Sequence, residues 1–120
     1  MQSVLAVDDS ASIRALVNYV LMQAGYTVVL AEDGQEALEY ARDNTVDLVL
    51  TDINMPNLDG IGLIKGLRAL PNYKYVPLLV LTTEGGTEKK MEGKAAGATG
   101  WIVKPFDPEQ LVSTIEKVLS

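Results

Sequence analysis

Leu48-Val49-Leu50-Thr51-Asp52-Ile53-Asn54-Met55-Pro56 is the stretch on which the reading of this chain turns. Leu48, Val49 and Leu50 form a short, wholly apolar run, the pattern of a strand buried on both faces of a sheet. The run stops at a carboxylate, Asp52, and Pro56 follows, with Asn57, Asp59 and Gly60 behind it. Proline fixes φ and removes a backbone donor, and the Asn, Asp and Gly cluster favours a turn. Asp52 is therefore expected at the carboxyl end of a buried strand, where a stiffened loop begins.

Outward from this stretch, strand-like runs and helical periodicities alternate. Val4-Leu5-Ala6-Val7 runs into Asp8-Asp9. Ile13, Leu16, Val17, Val20 and Leu21 then recur at the spacing of one helix face, and Gly25 fits the stop. A second strand is expected at Thr27–Ala31. Asp33 with Glu36 resembles a capping box that opens a helix through Ala37, Leu38 and Ala41. The third strand reads as residues 47–51, and a third helix, marked by Leu63, Ile64 and Leu67, closes before Pro71. A fourth strand is expected over 76–81, a helix at Thr87–Ala96 with Gly97 as its cap, and a fifth strand at Gly100–Val103. Asp107 as N-cap and Pro108 at the first helical position open the last helix, whose Leu111, Val112, Ile115, Val118 and Leu119 face inward.

Five repeats of strand then helix, without a linker, argue an α/β fold: a parallel sheet, doubly wound, with helices on both faces. The expectation is a single domain over residues 1–120, with no output domain after the fifth helix. The helix at 87–96 stands apart. It carries Lys89, Lys90, Glu92 and Lys94, the helix-weakening Gly93, and Met91 as its one large apolar residue. It should be shallowly anchored and easily biased.

Composition removes whole classes of function. A chain of 120 residues buries roughly two-thirds of its unfolded surface, enough for a core without staples. Cysteine and histidine are both absent, which excludes disulfides, thiolate or imidazole metal sites, a Ser-His triad and an internal phosphohistidine. Sixteen acids against ten bases give a net charge of -6, contrary to the basic face that nucleic acid requires. No signal-peptide pattern opens the chain, and no apolar run approaches the roughly 18 residues of a membrane helix, so a cytoplasmic location without membrane insertion is expected. A monomer is expected.

Ligands of open α/β sheets bind beyond the carboxyl ends of the strands, where the strand order reverses. Here those ends carry Asp8 and Asp9 (first strand), Asp52 (third), Thr82 and Thr83 (fourth) and Lys104 (fifth). If the first and third strands are neighbours, three carboxylates share one pocket. Like charges at about 4 Å cost several kcal/mol at an effective dielectric near 20, so the cluster needs protons or a cation. Oxygen-only ligands suit Mg2+, which takes one or two carboxylates and leaves room for phosphate oxygens. Lys104 and the Thr82 hydroxyl can hold further phosphoryl oxygens, and aspartate is an established phosphoryl acceptor. Asp52 is thus the candidate nucleophile. Singly, each residue has a bland reading: Asp8 and Asp9 as helix caps, Asp52 as a turn residue, Thr82 and Thr83 as loop hydroxyls, Lys104 as a surface charge, Trp101 as core, Asn54 and Glu84 as loop polar groups. Joint placement at one sheet edge is what favours the chemical reading.

Ala6-Val7-Asp8-Asp9-Ser10, Leu50-Thr51-Asp52-Ile53-Asn54-Met55-Pro56, Leu81-Thr82-Thr83 and Val103-Lys104-Pro105-Phe106 together resemble the receiver domains of two-component response regulators. The resemblance covers essentially the whole chain. It implies a flavodoxin-like sheet in the order 2-1-3-4-5, which the spacing alone does not determine. It implies Asp52 as phosphoacceptor, Asp9 as a direct Mg2+ ligand, Asp8 nearby through water, and the main-chain carbonyl of Asn54 as a further ligand. Thr82 is implied as the hydroxyl that moves onto the phosphoryl group, Lys104 as its cationic partner, and the Lys104-Pro105 bond as cis. Trp101 falls at the aromatic switch position, where Tyr or Phe is more usual. Asn54 and Glu84 fall where phosphoryl lifetime is tuned, with the identities of flagellar chemotaxis regulators. The implied partners are a sensor histidine kinase of the chemotaxis type and, as output, a flagellar motor switch protein or another target. A phosphate sink or a non-chemotaxis regulator is the alternative. The implied protein is not an enzyme in the ordinary sense, although it promotes its own Mg2+-dependent phosphorylation and dephosphorylation. A haloacid-dehalogenase-type phosphatase is disfavoured because Asn54 stands where that class places a general acid. A flavin carrier is disfavoured because Asp8-Asp9 would repel its phosphate.

Overall fold

A computed structural model describes residues 2–83 and 87–119, with the backbone alone for 87–89. Strands and helices alternate as β1 (Ser3–Val7), α1 (Ala11–Gln23), β2 (Thr27–Ala31), α2 (Gly34–Asp43), β3 (Leu48–Asp52), α3 (Gly60–Arg68), β4 (Leu78–Thr82), α4 (Thr87–Ala96), β5 (Gly100–Val103) and α5 (Pro108–Leu119). The sheet is parallel throughout, in the order β2-β1-β3-β4-β5. The order therefore reverses between β1 and β3. Val7 pairs with Thr51, so one further step along each strand brings Asp8 level with Asp52.

The side-chain period of two divides the strands between two helix layers. Leu5, Val7, Val49, Leu78 and Val80 pack with Ala37 and Ala41 of α2, Leu63, Ile64 and Leu67 of α3, and Ala96 of α4. Val4, Ala6, Leu48, Leu50, Leu79 and Leu81 pack on the other face with Val17 and Leu21 of α1 and Leu111 and Ile115 of α5. Every residue of β3 and β4 is buried, as the unbroken apolar runs predict.

Several boundaries differ from expectation, each for a local reason. The third strand starts one residue later, because the Asp47 carboxylate accepts from the Ser3 amide at 2.7 Å and acts as a bridge to β1. It also extends through Asp52. The fourth starts at Leu78 rather than 76, because the Val76 carbonyl is turned to Arg68 at 2.7 Å. A 3-10 turn at Pro71–Tyr73, absent from the sequence reading, precedes it. Leu16, expected on the inner face of α1, is 43% exposed; α1 meets the sheet through Val17 and Leu21, and Leu16 lies outside that narrower seam. Met91, the one large apolar residue of α4, is 66% exposed. The helix is seated instead by its small residues: Gly93 and Ala96 are buried, with Ala98 and Ile61 beside Gly93.

Two polar side chains fasten the connections. Arg68 donates to the carbonyls of Tyr73 and Val76 (2.8 and 2.7 Å) and, from Nε and Nη2, to that of Gly97 (3.0 and 2.7 Å). It so ties the end of α3 to the start of β4 and the end of α4. Tyr73 is fully buried; its hydroxyl donates to the Asn44 carbonyl and accepts from the Val46 amide at 3.2 Å. No helix among the described residues is long and apolar enough to cross a membrane.

Removing the Tyr73 hydroxyl leaves the buried Val46 amide without its partner, which typically costs about 1–3 kcal/mol. Tyr73→Phe is expected to lower the unfolding free energy by that amount, read as a lower urea midpoint with an unchanged m-value. An unchanged midpoint would show that this bridge contributes nothing net.

Candidate functional site

Asp8 is the first residue beyond β1. Its amide donates to the Ala31 carbonyl at 3.2 Å, prolonging the β1–β2 ladder. Its carbonyl accepts from Arg14 Nη1 at 2.7 Å, and its Oδ1 accepts from the Ser10 amide at 3.0 Å. Ser10 in turn caps α1 by accepting from Ile13 N–H. Helix capping thus falls to Ser10, while Asp8 faces the pocket and is only 3% exposed. Asp9 is exposed at the rim. Asp52, the last residue of β3, is 9% exposed and accepts from the Ile53 amide through Oδ1 at 2.8 Å. Carboxylate oxygens of Asp8, Asp9 and Asp52 all lie within 4.8 Å of one another.

Lys104 closes the cluster from the far side. Its amide donates to the Thr82 carbonyl at 2.7 Å, carrying the β4–β5 ladder one residue past Val103, and the Lys104-Pro105 bond is cis. Its Nζ lies 2.8 Å from Asp8 Oδ2 and 3.4 Å from Asp52 Oδ1. The sequence reading gave Lys104 to an incoming phosphoryl group and asked for a proton or a metal to relieve the acids. In this structure Lys104 itself is the relieving cation, bound chiefly to Asp8. Thr82, at the end of β4, is buried.

Burial, followed by the neighbouring Asp8 charge, pushes the Asp52 carboxyl above the usual carboxylate range; Lys104 and the Ile53 amide offset part of this. For Lys104, burial acts most strongly and pulls its pKa down, but the Asp8 hydrogen bond and the charges of Asp52 and Asp8 together outweigh it. Lys104 is therefore held firmly as the ammonium. Two oxygen-rich, partly dehydrated acids beside an exposed third form a donor set suited to a hard divalent ion.

The remaining expected residues lie around this cluster. Asn54 is two residues into the loop after Asp52 and is exposed. Trp101 lies on β5, opposite Val80 of β4, half-buried against the α2/α3/α4 layer. Glu84 lies outside the described residues. Two contacts had no signal in the sequence. Lys90 of α4 places its Nζ 5.1 Å from the Trp101 ring centroid, within cation–π range. Asp33, read from the sequence only as a helix cap, accepts from Asn57 of the β3–α3 loop at 2.6 Å.

The response regulator receiver domain family matches residues 4–116. The structure is closely similar to that of the chemotaxis protein CheY4 of Vibrio cholerae, with a TM-score of 0.95 and 52% identity over 98% of each chain. Chemotaxis protein CheY1 of Helicobacter pylori is 40% identical over 117 residues, 96% of this chain and 94% of that protein. The probable transcriptional regulator ycf27 of Guillardia theta is 41% identical over 118 residues, but this chain spans only 45% of its length. The chain belongs to the receiver-domain family, a class of signalling domains rather than of enzymes in the ordinary sense.

Because the Asp52 pKa is raised by folding, protonation favours the folded state. That contribution is full below the ordinary carboxylate pKa of about 4 and is lost as pH rises through the higher folded value. Asp52→Asn is therefore expected to stabilise the protein at pH 7 in EDTA, by on the order of 1 kcal/mol, and less at pH 4. Urea denaturation at the two pH values checks this. A destabilised variant at pH 7 would mean that Lys104 more than compensates the crowding.

Proposed function

We propose that this chain is a chemotaxis-type response regulator in which Asp52 accepts a phosphoryl group from a sensor histidine kinase. The observation that carries this reading is the meeting of Asp8, Asp9 and Asp52 at the β1/β3 reversal, with Lys104 held across them. An Asp52 carboxylate oxygen attacks the phosphorus of a phosphohistidine on the kinase. The O–P bond forms as the N–P bond breaks, and the imidazole leaves as the neutral ring once protonated. These 120 residues hold no histidine, so a phosphohistidine donor lies outside them.

The acidic donor set fits Mg2+, with Asp9, Asp52 and the Asn54 carbonyl as ligands and Asp8 acting nearby. When bound, the ion screens the incoming phosphoryl oxygens from the carboxylates. Asp52 is held for attack by the Ile53 amide. Lys104 exchanges part of its contact with Asp8 for a phosphoryl oxygen, and the Thr82 hydroxyl takes another. Because Lys104 and Thr82 share a ladder hydrogen bond, their shift is felt along β4 and β5, where Trp101 and its Lys90 cover lie. The surface of α4, β5 and α5 is the region that reports the change to an output partner, such as a flagellar motor switch protein. Asn54 and Glu84 tune how long the phosphoryl group persists. The high likeness to the chemotaxis proteins CheY4 and CheY1 supports the chemotaxis assignment; a cytoplasmic location and a monomeric state belong to the same proposal.

Acetyl phosphate with Mg2+ is expected to add one phosphoryl group to the intact mass of the protein and to change Trp101 emission. Asp52→Asn should remain unlabelled, and Lys104→Met should label at least tenfold more slowly, the usual scale for loss of a preorganised charge. Folded wild-type protein that stays unlabelled would overturn the reading. Labelling without any change in emission would remove Trp101 from the switch.

A further inference from the structure

We propose that Asp33 and Asn57 form a positioning pair that fixes the loop after Asp52 over the cation site. The inference rests on the reading of that site given above. The loop between β3 and α3 carries Asn54, whose carbonyl is assigned there as a ligand. A backbone ligand can be aimed only by holding the backbone.

The base of the loop is closed by the Gly60 amide donating to the Ile53 carbonyl at 2.8 Å. Glycine is required at this point, because a Cβ on Gly60 would fall 2.2 Å from the Asp52 carbonyl oxygen. The far end of the loop is anchored separately. Asn57 has φ +67°, in the left-handed region that Asn tolerates better than most residues. That conformation accompanies a 2.6 Å hydrogen bond from its Nδ2 to Asp33 Oδ2. Next to it, the Leu58 carbonyl accepts from the Gly34 amide at 3.1 Å, an approach so close that a Cβ on Gly34 would stand 2.3 Å from the Leu58 oxygen.

Asp33 divides its two oxygens. Oδ1 caps α2 by accepting from the Glu36 amide at 2.9 Å, and Oδ2 takes Asn57. The corner that carries Asp33 is itself fastened to the other wall of the site. Ala31 accepts from the Asp8 amide, and Arg14 holds the Asp8 carbonyl while its Nη2 lies 3.9 Å from Glu32 Oε1. The pair thus closes a ring of contacts from Asp8 through the β2–α2 corner and the β3–α3 loop back to Asp52. Groups one layer behind a metal ligand commonly change metal affinity 10–100-fold when removed.

The experiment is Mg2+ titration calorimetry on the whole chain, with metal-free urea midpoints, for wild type, Asn57→Gly, Asp33→Ser and the double variant. Glycine suits the positive φ and leaves the charge unchanged; serine keeps an oxygen for the helix cap but has none for Asn57. Each single variant is expected to bind Mg2+ roughly tenfold more weakly, and the double variant no more weakly than either. Wild-type affinity in the single variants, even with lower urea midpoints, would reduce the pair to a structural contact and overturn the inference. Losses that multiply in the double variant would also overturn it, because the two residues would then act separately. If Asp33→Ser does not fold, Asn57→Gly decides alone. Wild-type protein that binds no Mg2+ would overturn the site reading and this inference together, which distinguishes that failure from failure of the pair alone.

Discussion

The structure depends on a crowding of like charge that the fold creates and only partly relieves. Adjacent parallel strands in level register deliver Asp8 and Asp52 to the same point, and Asp9 joins them at the rim. Such a cluster repels itself by several kcal/mol wherever water is partly excluded. Lys104 relieves the buried pair but is one charge against three. The apolar core on both sheet faces supplies the stability against which this residual strain is held. A site kept short of positive charge is a site prepared for a cation, and one whose cation already contacts both acids is prepared for an exchange of partners.

The parts arranged around the cluster differ in how firmly they are held. On the β1 side, Arg14, Ser10 and the continued β1–β2 ladder hold Asp8 through backbone groups. The end of α3, the start of β4 and the end of α4 are clasped by Arg68. The body of α4 is different: small residues seat it, Met91 turns outward, and Lys90 covers Trp101. A change in Lys104 therefore meets a stiff wall on one side and a lightly seated helix on the other. On the proposed function, this asymmetry directs the response toward α4 and β5.

Much of the fold was legible because its determinants are local. Apolar runs, the Asp33 cap, Gly97 and Asp107-Pro108 each mark an element from within a few residues. The acids were legible because they terminate those runs. What escaped notice are contacts between distant positions that leave no mark on either neighbourhood. Lys104 and Asp8 are 96 residues apart, and Arg68 and Gly97 are 29 apart. Asp33 was correctly read as a cap, but a cap uses one oxygen, and nothing nearby tells where the other points. Leu16 was misplaced for a related reason: periodicity defines a face, while the width of the buried seam depends on what packs against it.

The central claim is that acids from two neighbouring strands share one divalent ion. Crystals grown with Mn2+ in place of Mg2+ test it directly through the anomalous difference map. The account predicts a single strong peak within coordination distance of carboxylate oxygens from both Asp9 and Asp52. A map with no peak there, or with its only peak on acids elsewhere on the surface, would contradict it.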